Sequence, residues 1–303
     1  MGSFAKWISG ASLLGMALIL GGCGSTGSNS STPPPTPTPG ASNLTVFMKD
    51  AAADNVLAFK VDVTSVSVTD STGKSTTLST TPMTFELRHL ELAPTLMVET
   101  GNLAPGAYSS VNLTLANPGL VVNSAGTPTQ VSNPQMTSTS VSIPLSNVSL
   151  PSGGTQGLAL DFSLQKSITQ NAAGGWVITP SITGAAVSPG SSGLQMVDTV
   201  GKISALPGSP ANSFDFQATN GSGSVRIMTD ASTVFDATIG KFSALTTGEF
   251  VEVEGVLQND GTFLAKYIEL SAPNQLLRLG GVVSAVQKDA AGNPTSINLV
   301  VQN

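Results

Sequence analysis

The sequence predicts an all-β chain: an N-terminal β-sandwich, then a small β-barrel, then an incomplete second barrel repeat. Three observations carry this. Short runs that alternate β-branched or large apolar residues with polar ones recur from Leu44 onward, punctuated by Gly, Pro and Asn, which is the mark of half-buried strands. The 3.6-residue helical period is almost absent beyond residue 42. "VGKISAL" from Val200 and "GGVVSAV" from Gly280 are alike, with Gly201 and Gly281 separated by 281 − 201 = 80 residues, so one unit begins twice. Only 10% of the 303 residues are charged, 5% are aromatic, and the net charge is -6. Nucleic acid calls for a basic face and anionic lipid for a basic patch, and this balance argues against both as electrostatic partners.

The first residues have the layout of a secretory signal peptide over 1–22. Lys6 and the amino terminus supply positive charge, the apolar run "WISGASLLGMALIL" spans Trp7 to Leu20, and Gly21 and Gly22 form a small-residue cleavage site before Cys23. The run is shorter than the roughly 20 apolar residues of a spanning helix. Cys23 is the only cysteine, so neither a disulfide nor a thiolate metal cluster can form within the chain. "LGGC" resembles a bacterial lipobox. That resemblance implies a diacylglycerol on the Cys23 sulfur and a third acyl chain, such as palmitate, on its new amino group. Two or more chains anchor stably where one does not, so the expected partner is the membrane, reached through the lipidated N-terminal cysteine. Gly24 stands where an aspartate would retain a Gram-negative lipoprotein at the inner membrane. The resemblance therefore implies the outer membrane.

Residues 23–42 read as the lipidated cysteine and a Ser/Thr/Pro-rich stalk without apolar periodicity. "TPPPTPTP", Thr32 to Pro39, predicts extended polyproline II at about 3.1 Å per residue.

The sandwich is expected over 43–187. "LTVFMK" from Leu44 opens it. "FKVDV", Phe59 to Val63, alternates cleanly, and Val66 and Val68 continue on the other parity, which predicts a bulge near Thr64 and Ser65. "DSTGKST", Asp70 to Thr76, reads as a hairpin turn before "MTFEL", Met83 to Leu87. "RHLELAPTLMVET", Arg88 to Thr100, is the one stretch suited to a helical turn. "LAPGAYSSVNLTL", Leu103 to Leu115, opens with a Pro-Gly turn and breaks phase between Tyr108 and Val111. "VSIPL", "GLALDFSL" and "GWVITPSI" complete a pattern of many short strands with turns between them, long enough for a real core.

Five ordered pieces of this region resemble a bacterial and archaeal lipoprotein family, number 4382 among the domains of unknown function. They are Leu44 to Asp50, Val61 to Val68, the "L.PG.Y" turn from Leu103 to Tyr108, Leu160 to Ser167, and Trp176 to Pro180. The fourth piece commonly reads Asp-Phe-Asp, whereas this chain has Asp161-Phe162-Ser163, so a role needing both carboxylates does not carry over. The "L.PG.Y" turn also resembles that of transthyretin-like sandwiches, so the expected fold is transthyretin- or immunoglobulin-like.

"SPGSSGLQM", residues 188–196, reads as a linker, and each folded unit is expected to melt on its own. The barrel is expected over 197–271. Its clearest part is a hairpin in which Val251, Val253 and Leu257 alternate with Glu252 and Glu254 until Gly255 shifts the phase. Asn259-Asp260-Gly261 then turns the chain into Phe263, Ala265 and Tyr267. This unit resembles a second family of unknown function, number 5666, a small β-barrel. Residues 277–303 read as the start of another copy, incomplete, with "INLVV" joined to "LGGVVSAV" as a hairpin, and disorder is expected there because a lone hairpin is marginal in water.

Chemistry is sparse. His89 is the only histidine and no Gly-x-Ser-x-Gly elbow or phosphate loop is present, so no catalytic residue is assigned and no cofactor is expected. Asp50 and Asp54 flank the first strand's end and are weak candidates for a calcium loop, with turn capping the favoured reading, so no metal is expected. Glu252 and Glu254 share one strand face and read as a solvated surface. Trp176, Tyr108 and Tyr267 are the aromatics that could stack on sugar, and Trp176 sits in an apolar strand, where core is favoured over platform. The expected function is non-catalytic: a lipid-anchored cell-envelope protein of structural or binding role. The alternatives are a surface adhesin for carbohydrate or peptide and, more distantly, an enzyme of unidentified class. Lipidation at Cys23 is the one assigned site, and the protein or glycan ligand is unknown.

Overall fold

A computed structural model describes residues 40–51, 53, 55–88, 90, 95–190, 195–219, 223–271 and 281–301. Cys23 and the stalk to residue 39, with Asp54 and His89, lie outside the described residues. The chain is all-β apart from a helical turn at Leu164–Ser167, a 3-10 turn at Phe242–Ala244 and 3-10 conformation at Leu90, among the described residues.

The first unit is a two-sheet sandwich. One sheet runs in the order β13 (Ile182–Val187), β10 (Thr155–Ser163), β1 (Ser42–Ala51), β5 (Thr95–Leu103). The other is centred on two long strands, β2 (Val56–Asp70) and β6 (Gly106–Ser124). β3 (Ser75–Ser79) and β4 (Met83–Glu86) line the far side of β2, and β7 (Thr127–Gln130) and β9 (Ser140–Leu150) line the far side of β6. A small third sheet joins β8 (Gln135–Met136), β11 (Ile168–Gln170) and β12 (Trp176–Ile178). Leu44, Val46 and Met48 of β1, with Phe162 of the neighbouring β10, face Phe59, Val61, Val111 and Leu113 in one apolar cluster between the main sheets. Burial of such side chains, each contributing about 1.5–3 kcal/mol, is what holds the layers together.

The expected bulge in β2 is present. Val63 pairs with Leu115 and Ser65 with Thr114, so Thr64 is extra, and its hydroxyl donates to the Thr114 carbonyl at 3.2 Å. One extra residue resets the two-residue period, which lets Val61 and Val63 before it and Val66 and Val68 after it all stay buried. The phase break expected in β6 falls at Ser109, whose hydroxyl donates to the carbonyls of Thr69 and Asp70. The Asp70 turn forms as read: the Asp70 carboxylate accepts from the Thr72 and Lys74 backbone N–H groups, and Gly73 takes φ +90°.

The helical turn expected over Arg88–Thr100 is corrected in its second half, where β5 pairs antiparallel with β1. Leu96, Met97 and Val98 are all buried because this strand is covered on both faces. A strand buried on both faces reads as an unbroken apolar run, without the alternation that reveals a half-buried one.

The second unit is a closed five-stranded barrel. β14 (Gln195–Ala205) pairs with β15 (Ser213–Ala218) and β18 (Phe250–Leu257); β15 pairs with β16 (Val225–Met228), β18 with β19 (Phe263–Leu270), and β16 closes on β19. A short β17 (Val234–Phe235) lies outside, on β19. Ile203, Phe214, Phe216, Val251, Val253, Leu257, Phe263 and Ile268 fill the interior. Gly201 has room only for hydrogen: a Cβ there would meet the Gln217 carbonyl oxygen at 2.4 Å and the Phe216 ring at 2.5 Å. Asp215 and Arg226, opposite each other on β15 and β16, form a largely buried ion pair.

The expected phase shift at Gly255 is corrected. β18 keeps strict alternation through Gly255, which points inward. The irregularity belongs to β19, where Glu254 pairs with Tyr267 and Gly255 with Ala265, leaving Lys266 extra. The inward set is therefore Phe263, Ala265 and Ile268, and Tyr267 turns to the outer face.

The two units share a core. Phe47 on β1 and Leu96 on β5 point away from the sandwich interior and join the barrel's apolar cluster. The Gly190 N–H donates to the Leu257 carbonyl at 2.7 Å, so the start of the expected linker is also tied to the barrel. Beyond the barrel, β20 (Gly281–Lys288) and β21 (Pro294–Val301) form an antiparallel hairpin where disorder is the sequence expectation.

Candidate functional site

The sandwich carries a polar cleft of about 610 Å³ lined by Asn117, Pro118, Gly119, Gln130, Val131, Ser132, Asn133 and Pro134. An irregularity in β6 builds one wall. Lys60 pairs with Gly119 and Asp62 with Ala116, so Asn117 and Pro118 stand out from the ladder. The opposite wall is the chain leaving β7, held alongside by the Val131 N–H donating to the Leu120 carbonyl at 2.9 Å. Asn117 and Asn133 both take left-handed backbone, φ 48° and 51°, which Asn tolerates better than most residues.

Asp62 sets the position of the first wall. One carboxylate oxygen accepts from the Thr84 hydroxyl at 2.6 Å and the other from the Asn117 amide at 2.7 Å. The Thr84 hydrogen bond, then that from Asn117, holds the Asp62 carboxyl below the usual carboxylate range, with Lys60 adding a smaller push the same way. The Asn117 carboxamide is thereby oriented with its carbonyl oxygen left to accept from a ligand. The rest of the lining offers carboxamide, hydroxyl and backbone groups and no charge.

The residues singled out in the sequence are dispersed. Asp50 is buried at the end of β1. Among the described residues no group of three or more His, Cys, Asp or Glu is arranged to hold a metal. Glu252 and Glu254 lie on the outer face of the barrel, opposite Glu269 and Tyr267 respectively. Burial, then the nearby Glu269 carboxylate, pushes the Tyr267 hydroxyl up. Trp176 packs half-buried against the sandwich core. Tyr108 is buried, and its hydroxyl donates back to the Ala104 carbonyl at 2.9 Å across the turn at Gly106, φ +138°. Burial, then Asp70, raises its pKa. This is a tyrosine corner of the kind that pins sandwich loops. None of these groups lines the cleft. The cleft escapes a reading by residue type because its walls are ordinary Asn, Gln, Ser and Pro, and only the pairing of β6 gathers them. The doublet Asn117-Pro118 inside a strand pattern was the available signal.

The first and fourth family-like pieces meet in space. β1 and β10 run parallel, with Lys49 directly beside Asp161 and an ion pair of 2.9 Å between them. Residues 41–180 match the family described as domain of unknown function (DUF4382), and residues 200–269 match the domain of unknown function DUF5666. The chain thus matches the two family models one after the other, in that order. The DUF4382 domain coincides with the sandwich up to the start of β13, and the DUF5666 domain with the closed barrel. No curated protein and no solved structure matches the chain.

Proposed function

We propose that this chain is a non-catalytic, lipid-anchored binding protein of the cell envelope, held in the outer membrane of a Gram-negative bacterium by acylated Cys23. Its stalk carries a rigid two-domain body that offers the Asn117–Asn133 cleft to a neutral, hydroxyl-rich ligand. The anchor rests on "LGGC" after the apolar run, and the outer-membrane address on Gly24.

The observation that carries the binding reading is the state of Asp62. A carboxyl that moves protons needs a pKa near the working pH. Asp62 has both oxygens hydrogen-bonded and is held ionised, which suits a post that fixes Asn117. An uncharged lining of carboxamides and hydroxyls complements sugar hydroxyls in the same way. The test is a titration of the isotope-labelled full chain, Cys23→Ser, in non-ionic detergent, with oligosaccharide fragments of envelope glycans. Amide shifts confined to 117–119 and 130–134, lost in Asn117→Ala, are expected. If no glycan fragment moves those amides, the cleft does not serve carbohydrate.

A further inference from the structure

β20 and β21 repeat β14 and β15 in detail. In the barrel, Ile203 pairs with Phe216 and Ala205 with Asp215, and the extra residue Ser204 donates its hydroxyl to the Asp215 carbonyl at 3.1 Å. In the hairpin, Val283 pairs with Leu299 and Ala285 with Asn298, and the extra residue Ser284 donates to the Asn298 carbonyl at 3.2 Å. The shared bulge sets the correspondence. Val283, Ile297 and Leu299 occupy the places of Ile203, Phe214 and Phe216, which form the barrel interior and are fully buried. In the hairpin that same face is only partly covered: Val283, which borders a cleft of about 110 Å³ with Leu57 and Pro128 of the sandwich, is 49% exposed, Ile297 58%, and Val286, which pairs with Ile297, 46%.

The barrel also shows what covers such a face. β14 is bonded on both edges, by β15 on one side and by antiparallel β18 on the other. Among the described residues β20 is bonded only by β21. Its free edge carries one charge, Lys288 at the turn end, and β21 carries none. Sheet edges that stay single are usually guarded by charge or proline within the strand.

We propose that the β20–β21 hairpin is an association device whose occupant is the same hairpin of a second copy of this chain. A two-fold axis through the middle of β20 sets β20 against β20 antiparallel, the direction in which β18 meets β14. It also brings both partly covered faces into one four-stranded sheet, able to curl on Val283, Val286, Ile297 and Leu299 from each copy. One substitution favours this over completion by barrel strands of the first kind. Asp215 is matched by Arg226 on β16, whereas its counterpart is the neutral Asn298. The hairpin has lost the carboxylate that a β16-like strand would need.

Sedimentation equilibrium of the full chain, Cys23→Ser, in non-ionic detergent decides it. The wild-type hairpin should give a doubling of mass at micromolar concentration. Ile297→Glu, on the proposed interface, should give the monomer mass, while Asn298→Glu, on the opposite face, should remain dimeric; both should keep the thermal transition of the sandwich and barrel. A wild-type monomer overturns the proposal, and so does an Ile297→Glu chain that still dimerises. A monomer whose amides exchange slowly throughout 281–301 also overturns it, because the cover then comes from the same chain.

Discussion

Phe47 of the sandwich and Phe263 of the barrel lie with ring centroids 6.1 Å apart and planes tilted by 59°, each fully enclosed by residues from both domains. This pair makes the two domains one body. Below them, Gly261 at the β18–β19 turn comes so close that an added Cβ would lie 2.8 Å from the Asn43 amide.

Phe47→Ala should therefore destabilise both domains. Emptying a buried phenylalanine site costs about 3–5 kcal/mol. Calorimetry of the parent chain should show one main transition for residues 42–271, shifted down by the substitution. Two transitions, with only the sandwich shifted, would restore the sequence expectation that the units melt separately.

Gly201→Ala should lower that shared transition from inside the barrel. The new methyl has no space beside the Gln217 carbonyl and the Phe216 ring, and overpacking of this kind costs about 1–3 kcal/mol. Near-ultraviolet circular dichroism, which reports on the buried aromatic rings, is the measurement; an unchanged spectrum and melting curve would mean that β15 can move aside.

Asp62 predicts an acid-sensitive step. Its folded pKa is depressed, first by Thr84 and then by Asn117, so its contribution is complete above the ordinary carboxylate pKa of about 3.9 and is lost as pH falls through the lower folded value. Denaturant unfolding from neutral to acid pH should show this decline, and Asp62→Asn should flatten that part of the profile while lowering stability at neutral pH. A profile unchanged by Asp62→Asn would remove Asp62 from the role of post for Asn117.

Cys23 should be acylated. Labelled palmitate should enter the full chain in its native host and not the Cys23→Ser variant, which should leave the membrane fraction. Equal release of both proteins would rule out the lipid anchor.

The architecture was legible where one face of a strand is wet. Val61, Val63, Val66 and Val68 disclosed a bulge because a change of parity is visible in the text, and Asp70 with Gly73 disclosed its turn. Leu96-Met97-Val98 was not legible, since a strand with both faces covered has no alternation. Nor was the role of Phe47, because an apolar residue on the outer parity of β1 acquires meaning only when the barrel lies over it. The displaced phase in β18–β19 is hidden in the sequence: Gly255 looks like the irregular residue, but the extra one is Lys266, which has an unremarkable side chain. The cleft stayed hidden for a related reason, since Asn117 and Asn133 meet only through the irregular pairing of β6.

The position of β1 has a mechanical consequence. The first described strand is an interior one, flanked by β10 in continuous parallel register from Asn43–Thr155 to Ala51–Ser163 and by β5 on its other side. With the proposed anchor at Cys23, tension entering at Ser42 runs along β1, across the direction of its hydrogen bonds. The ladders on both sides then resist in shear, many bonds loaded together, instead of peeling open one at a time as they would if an edge strand were pulled sideways. Drag on the body would be borne by the strongest direction of the sheet, so the sandwich should hold its shape under forces that unzip a protein tethered through its edge.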